Sequence, residues 1–175
     1  MNFEVQSSQG VSTLWLADEQ RRNAMGLSFF SELPKQVEAL EADTGTRVVV
    51  IAARGPHFSV GLDLKGDLLP QLQGLLGASL ASEREKLYAL IQSWQKGCRA
   101  LASCSKPVIA AVHGACVGGG LDLISACDIR YASADAMFSL RETRLAMVAD
   151  LGALQRLGGI IGQGHLRDMA FTGRD

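Results

Sequence analysis

The stretch KPVIAAVHGACVGGGLDLISACDIRYAS, residues 106–133, decides how the rest of the chain is read. Lys106-Pro107 ends whatever helix precedes it, and Val108–Val112 continues as an apolar run of strand length. Gly118, Gly119 and Gly120 then lead straight into a short helical pattern over Leu121–Ala126, and Asp128–Ala132 returns to strand character. A helix that starts on glycines exposes backbone N–H groups with no intrahelical partner, and its dipole adds partial positive charge there. Such a turn can bind a phosphate or hold a developing oxyanion. The G-x-G-x-x-G spacing of a dinucleotide site is not met, and no Lys-Ser/Thr pair follows as in a P-loop. Close helix–strand packing accounts for one of these glycines well and for three less well.

Working outward, the preceding half repeats the alternation of strand and helix. Phe3–Ser7 and Val11–Ala17 alternate apolar and polar about Gln9-Gly10, which predicts a hairpin. Phe30, Leu33, Val37 and Leu40 form one helical stripe, in which Pro34 predicts a start near Ser31 or a kink. Arg47–Ala53 reads as a strand buried on both faces. Gly55–Gly77 has poor periodicity and reads as a loop with a short helix. Ser82 and Glu85 predict a capping box for a long helix with Leu87, Leu90, Ile91, Trp94, Cys98 and Leu101 on one face. Downstream, Met137–Leu140 predicts a strand, and Leu151–Leu157 and His165–Phe171 predict helices. Alternating strands and helices with no repeats predict an α/β layered fold, with residues 1–175 as one domain.

Composition narrows the partners. Seventeen basic and eighteen acidic residues leave a formal net charge of -1, which offers no field for nucleic acid or an anionic membrane. No apolar run reaches the length of a membrane span. Neither end reads as a targeting segment, so the expected location is cytoplasmic. Cys98, Cys104, Cys116 and Cys127 lie in apolar contexts without metal-ligand spacing, and are expected to be reduced packing thiols. No metal site is expected.

Two further places could carry chemistry. In HFSVGLDL, residues 57–64, a glycine at Gly61 lets the backbone turn and frees the next N–H to face a cleft. An ordinary strand-to-helix turn with Asp63 as a cap fits the same residues. The acids Asp122, Glu142 and Asp150 form the second set. Asp150 is a lone carboxylate in an apolar run, where burial would raise its pKa and suit it to accept a proton, or it caps the helix that follows. Glu142 lies near Arg141 and Arg144, which allows a surface ion pair instead. Asp122, in a first helical turn, can simply answer the dipole.

Taken together, HFSVGLDLK (57–65) and the 106–133 stretch resemble the two signatures of the crotonase (enoyl-CoA hydratase/isomerase) family. The likeness runs from Arg22-Asn23-Ala24-Met25 to Phe171-Thr172-Gly173-Arg174. It implies a spiral of ββα units that binds an acyl-CoA thioester between the two signature loops, with no cofactor, since coenzyme A is part of the substrate. It implies that the N–H groups of Leu62 and Gly119 polarise the thioester carbonyl. It places Ala24, Gly61, Asp63 and Gly118 along the ligand path, with Arg54 or Lys65 as candidates to meet phosphates.

Within the family, the set Asp122, Glu142 and Asp150 resembles that of the dienoyl-CoA isomerases. Hydratases instead pair two glutamates and usually lack an acid at the position of Asp150. The resemblance implies isomerisation of 3,5-dienoyl-CoA to 2,4-dienoyl-CoA, with Asp150 as base, Glu142 as acid and Asp122 in support. An enoyl-CoA hydratase and a catalytically silent acyl-CoA binder are the alternatives. The family also continues into a C-terminal helical segment beyond the position of Asp175, which packs in a homotrimer or hexamer. Its absence here implies a truncated core with exposed apolar surface.

Overall fold

Strands β1 (Phe3–Ser8) and β2 (Val11–Leu16) form the opening antiparallel hairpin, with Phe3 opposite Leu16 and Ser8 opposite Val11. The computed structural model describes residues 3–66, 68, 70 and 80–175. Alternation along β2 buries Ser12, Leu14 and Leu16, which fixes the register because a slip of one residue would turn them outward. β3 (Val48–Ala53), β4 (Val108–Val112) and β6 (Ile129–Ala132) extend the sheet in parallel, giving the order β1-β2-β3-β4-β6. A second, two-stranded parallel sheet pairs β5 (Ala115–Val117) with β7 (Met137–Ser139). The expected α/β class is observed, and in chain order most strands come in pairs followed by a helix.

Helix α1 (Leu27–Ala42) starts ahead of Ser31 and continues through Pro34. An internal proline forgoes one i→i−4 hydrogen bond and costs about 3 kcal/mol. Here Phe29, Phe30 and Leu33 on one side of it, and Val37 and Leu40 on the other, are all buried and hold the helix to the core. Helix α2 (Ala81–Ser103) packs on α1, and Phe30 stacks on Trp94 with ring centroids 5.1 Å apart. The expected capping box is not formed. The helix begins one residue before Ser82 with Leu80 as its N-cap, and the Leu80 carbonyl accepts from the N–H groups of Glu83 and Arg84. Helix α3 (Gly119–Ser125) starts on the middle glycine of the triplet, two residues ahead of expectation. Helices α4 (Ala153–Ile161) and α5 (Gln163–Thr172) close the described chain. The expected short helix within Gly55–Gly77 falls mostly outside the described residues.

What this arrangement does for function is set by β3 and β4. They are adjacent and parallel, with Val49 opposite Val108, so the loops after them leave at the same end of the sheet. In open α/β sheets that end is where ligands bind.

Candidate active site

The two signature loops are laced together by main-chain hydrogen bonds. Phe58 N–H donates to the His113 carbonyl at 2.9 Å, Ser59 N–H to Ala115 at 3.0 Å, and Val117 N–H to Ser59 at 3.0 Å. On its other side the first loop pairs with Met25, whose N–H reaches the Gly61 carbonyl at 2.8 Å and whose carbonyl accepts from Asp63 N–H at 3.0 Å. That bridge uses the groups flanking Leu62, so the Leu62 N–H points away from Met25. Among the described residues neither the Leu62 N–H nor the Gly119 N–H donates to a protein acceptor. The second is an orphan by construction, being the first residue of α3.

The loops can approach this closely only because of glycine. Gly61 has φ +85°, and a Cβ there would fall 2.8 Å from the Val117 carbonyl oxygen and 3.4 Å from the Gly119 nitrogen. Gly118 has φ +52°, and a Cβ on it would meet Glu142 Oε1 at 3.0 Å. Two buried polar side chains, absent from the sequence-based candidates, brace the first loop. Asn23 Nδ2 donates to the carbonyls of Arg54 and His57, both at 2.9 Å, and Ser59 Oγ donates to the Asn23 carbonyl at 2.8 Å. Their signal in the sequence is slight, since a polar residue inside a loop motif reads as solvated until its partners are known.

Three cavities meet at Leu62. One, of about 440 Å³, is bordered by Arg21, Arg22, Ala24, Leu62, Asp63 and Lys65. A second, of about 340 Å³, brings together Gly61, Leu62, Gly118, Gly119 and Glu142. The third, of about 330 Å³, joins Leu62 and Gly119 to Asp122, Glu142 and Asp150, with Leu87 and Trp94 among its apolar walls. Apart from Arg54, every sequence-based candidate therefore lines one of these three cavities. Asp63 is also committed locally. Its Oδ2 pairs with Arg21 at 2.9 Å, and its Oδ1 accepts from Lys65 and Gly66 N–H at 3.1 and 3.0 Å. Arg54 lies elsewhere, over the Trp15 ring at 3.8 Å and paired with Glu4, so Arg21, Arg22 and Lys65 are the cations at the first cavity.

The three acids differ in environment. Asp122 is 1% exposed, and burial pushes its pKa up to about 7, against the lowering effect of a hydrogen bond from Ala153 N–H. Glu142 is raised by burial and by the nearby Asp150 charge, and its Oε2 is buried with no hydrogen-bond partner among the described residues. It makes no ion pair there with Arg141 or Arg144; Arg141 pairs with Asp175 instead. Asp150 is an exposed residue whose carboxylate is raised by partial desolvation at the cavity wall, and it does not cap α4, whose N-cap is Gly152. The same burial pushes the thiols of Cys98 and Cys127 to about 12, so they pack and do not react at neutral pH. Among the described residues no group of His, Cys, Asp and Glu has the arrangement of a metal site, and no helix is long and apolar enough to cross a membrane.

A sequence model of the enoyl-CoA hydratase/isomerase family matches residues 6–175, and the chain belongs to that family. Among its relatives, the peroxisomal Delta(3,5)-Delta(2,4)-dienoyl-CoA isomerase of Arabidopsis thaliana is 45% identical over 87% of this chain and 55% of its own length. The mitochondrial enzyme of that name from Dictyostelium discoideum is 39% identical over 100% of this chain and 59% of its own. Among solved structures, a putative enoyl-CoA hydratase from Thermobifida fusca in complex with acetoacetyl-CoA superposes with a TM-score of 0.83, at 28% identity over 98% of this chain and 66% of its own. The chain spans about half the length of the curated relatives it matches.

The expectation of a cytoplasmic protein is corrected by these relatives, whose names place them in peroxisomes or mitochondria. The lack of a readable targeting segment at either end carried that expectation, and such an absence does not fix a location.

Proposed function

We propose that the protein isomerises 3,5-dienoyl-CoA to 2,4-dienoyl-CoA. The observation that carries this reading is the third cavity, which Leu62 and Gly119, whose N–H groups donate to no described residue, line together with Glu142 and Asp150. Asp150 takes the proton from C2 of the thioester, and the carbonyl oxygen gains charge opposite the Leu62 and Gly119 N–H groups. One such donor is worth about 3–4 kcal/mol of barrier. The electron pair spreads over C1 to C6, and Glu142 returns a proton at C6. The double bonds then stand at C2 and C4, and the charges on the two acids have exchanged.

The raised values suit both roles. A raised pKa makes Asp150 a stronger base once ionised, and holds the Glu142 proton to a higher pH than a fully solvated glutamate would. Asp122 is assigned a supporting role: its Oδ1 accepts from Ala153 N–H at 2.6 Å and ties it to the start of α4. The apolar walls at Leu87, Ile91 and Trp94 suit the acyl chain, and Arg21, Arg22 and Lys65 suit the anionic coenzyme A portion.

Homotrimeric or hexameric assembly belongs to the same reading, as do the exposed Leu145, Val148 and Phe171 beside the site, which suit burial by further protein. Incubation with 3,5-dienoyl-CoA, followed by absorbance of the conjugated 2,4-dienoyl product, tests the reading. Product formation supports it. Formation of a 3-hydroxyacyl-CoA from a 2-enoyl-CoA instead would make the protein a hydratase, and binding without turnover of either would make it a silent acyl-CoA binder.

A further inference from the structure

The segment that carries Asp150 has no regular structure of its own, yet it is gripped from two sides. Gln95 Nε2, on α2, donates to the Asp150 carbonyl oxygen at 2.8 Å across 55 positions. Three residues on, Ala153 N–H donates to Asp122 Oδ1 at 2.6 Å. Arg156 Nη1 adds a longer contact of 3.4 Å to the Leu151 carbonyl. Between the two grips sits Gly152 at φ +121°, a conformation that a side chain would strain.

The grip from α2 is joined to the pocket wall. Leu87, Ile91 and Gln95 follow one another at four-residue spacing and so share one stripe of the helix. Leu87 and Ile91 line the cavity into which Asp150 also faces. One rigid element therefore shapes the space for the acyl chain and fixes the main chain of the acid beside it.

We propose that Gln95 is a positioning residue for Asp150: its amide fixes the Asp150 main chain, and thereby the place of the carboxylate relative to the Leu62 and Gly119 N–H groups. The catalytic part of this inference rests on the proposed isomerase reading. Displacement of a reacting group by about 1 Å can cost about 100-fold in rate. Substrate binding, which depends on the cavity walls and the cations near Leu62, is left intact by such a displacement.

The test is Gln95→Met, which keeps side-chain length and helix propensity and removes the donor, together with the exposed oxygen that accepts from Arg99 Nη1 at 3.4 Å. On 3,5-dienoyl-CoA the expected result is a kcat lower by about 10- to 100-fold, with KM within about twofold and an unchanged Tm. A kcat within about twofold of the native chain overturns the proposal, and so does a kcat loss that merely follows a lowered Tm. Hydrogen exchange at the Leu151 and Ala153 amides gives a readout that does not depend on turnover. If the native chain forms no product, the isomerase reading fails by itself. Faster exchange at those amides in Gln95→Met then still supports the positioning contact, and unchanged exchange overturns it.

Discussion

Asp122 and Ala153 are joined by a hydrogen bond of 2.6 Å, from the first N–H of α4 to a carboxylate that belongs to α3. An N-cap normally comes from the residue just before its helix. Here Gly152 occupies that place with no side chain to offer, and the acceptor is supplied from 31 positions away. The bond ties the glycine turn, which presents the Gly119 N–H, to the segment that presents Asp150.

Asp122→Ala leaves a buried N–H without an acceptor, and is expected to destabilise the fold by about 1–3 kcal/mol. Asp122→Asn keeps an oxygen in place and is expected to retain most of that stability. Urea denaturation of both variants at neutral pH checks the order.

The same residue predicts a pH dependence. Its carboxyl moves from 3.8 when unfolded to about 7 when folded, so between those values the folded state holds a proton that the unfolded state has lost. Stability contributed by the protonated form is therefore full at low pH and falls as pH rises toward 7. The surface carboxylates of Asp43, Asp135 and Asp175 shift the opposite way, so the contribution is read as a difference. Asp122→Asn is expected to gain stability relative to the native chain as pH is raised from about 4.5 to about 7.5. Paired denaturation curves at the two pH values measure it.

Glu142 carries a buried oxygen with no partner among the described residues, a costly arrangement when the group is ionised. Glu142→Gln is expected to leave Tm unchanged or higher, and to lower kcat by about 100- to 10,000-fold if this acid delivers the proton. Thermal melting and turnover, measured on one preparation, check both halves.

Gly61→Ala places a methyl 2.8 Å from the Val117 carbonyl oxygen, at a positive φ. The two signature loops must then part. The expected result is a loss of about 1–3 kcal/mol together with most of the activity. Retained activity in this variant would contradict the close approach of the loops as the source of the paired N–H groups.

How much of this was legible in the sequence depended on range. The strands were legible because burial on one or both faces writes itself into neighbouring residues, as in Val48–Ala53 and Val108–Val112. The glycine turn was legible because Gly61 and Gly118 to Gly120 have few purposes in common. Helix starts were less so. Ser82 has the residue type of a cap but lies inside α2, and Pro34 is carried within α1 by the phenylalanines and leucine buried before it. Least legible were the partners of polar groups. Asp122 with Ala153, Gln95 with Asp150, and Asn23 with His57 are separated by 31 to 55 positions, and no local pattern announces such pairs.

The most direct test compares the native chain with Asp150→Asn on 3,5-dienoyl-CoA, following absorbance of the 2,4-dienoyl product. Among the described residues the Asp150 side chain makes no ion pair, and the Gln95 contact uses its main-chain carbonyl, so the substitution leaves the fold intact. The account predicts product from the native chain and a rate lower by about 100- to 10,000-fold in the variant. A folded Asp150→Asn protein that isomerises at the native rate would contradict it.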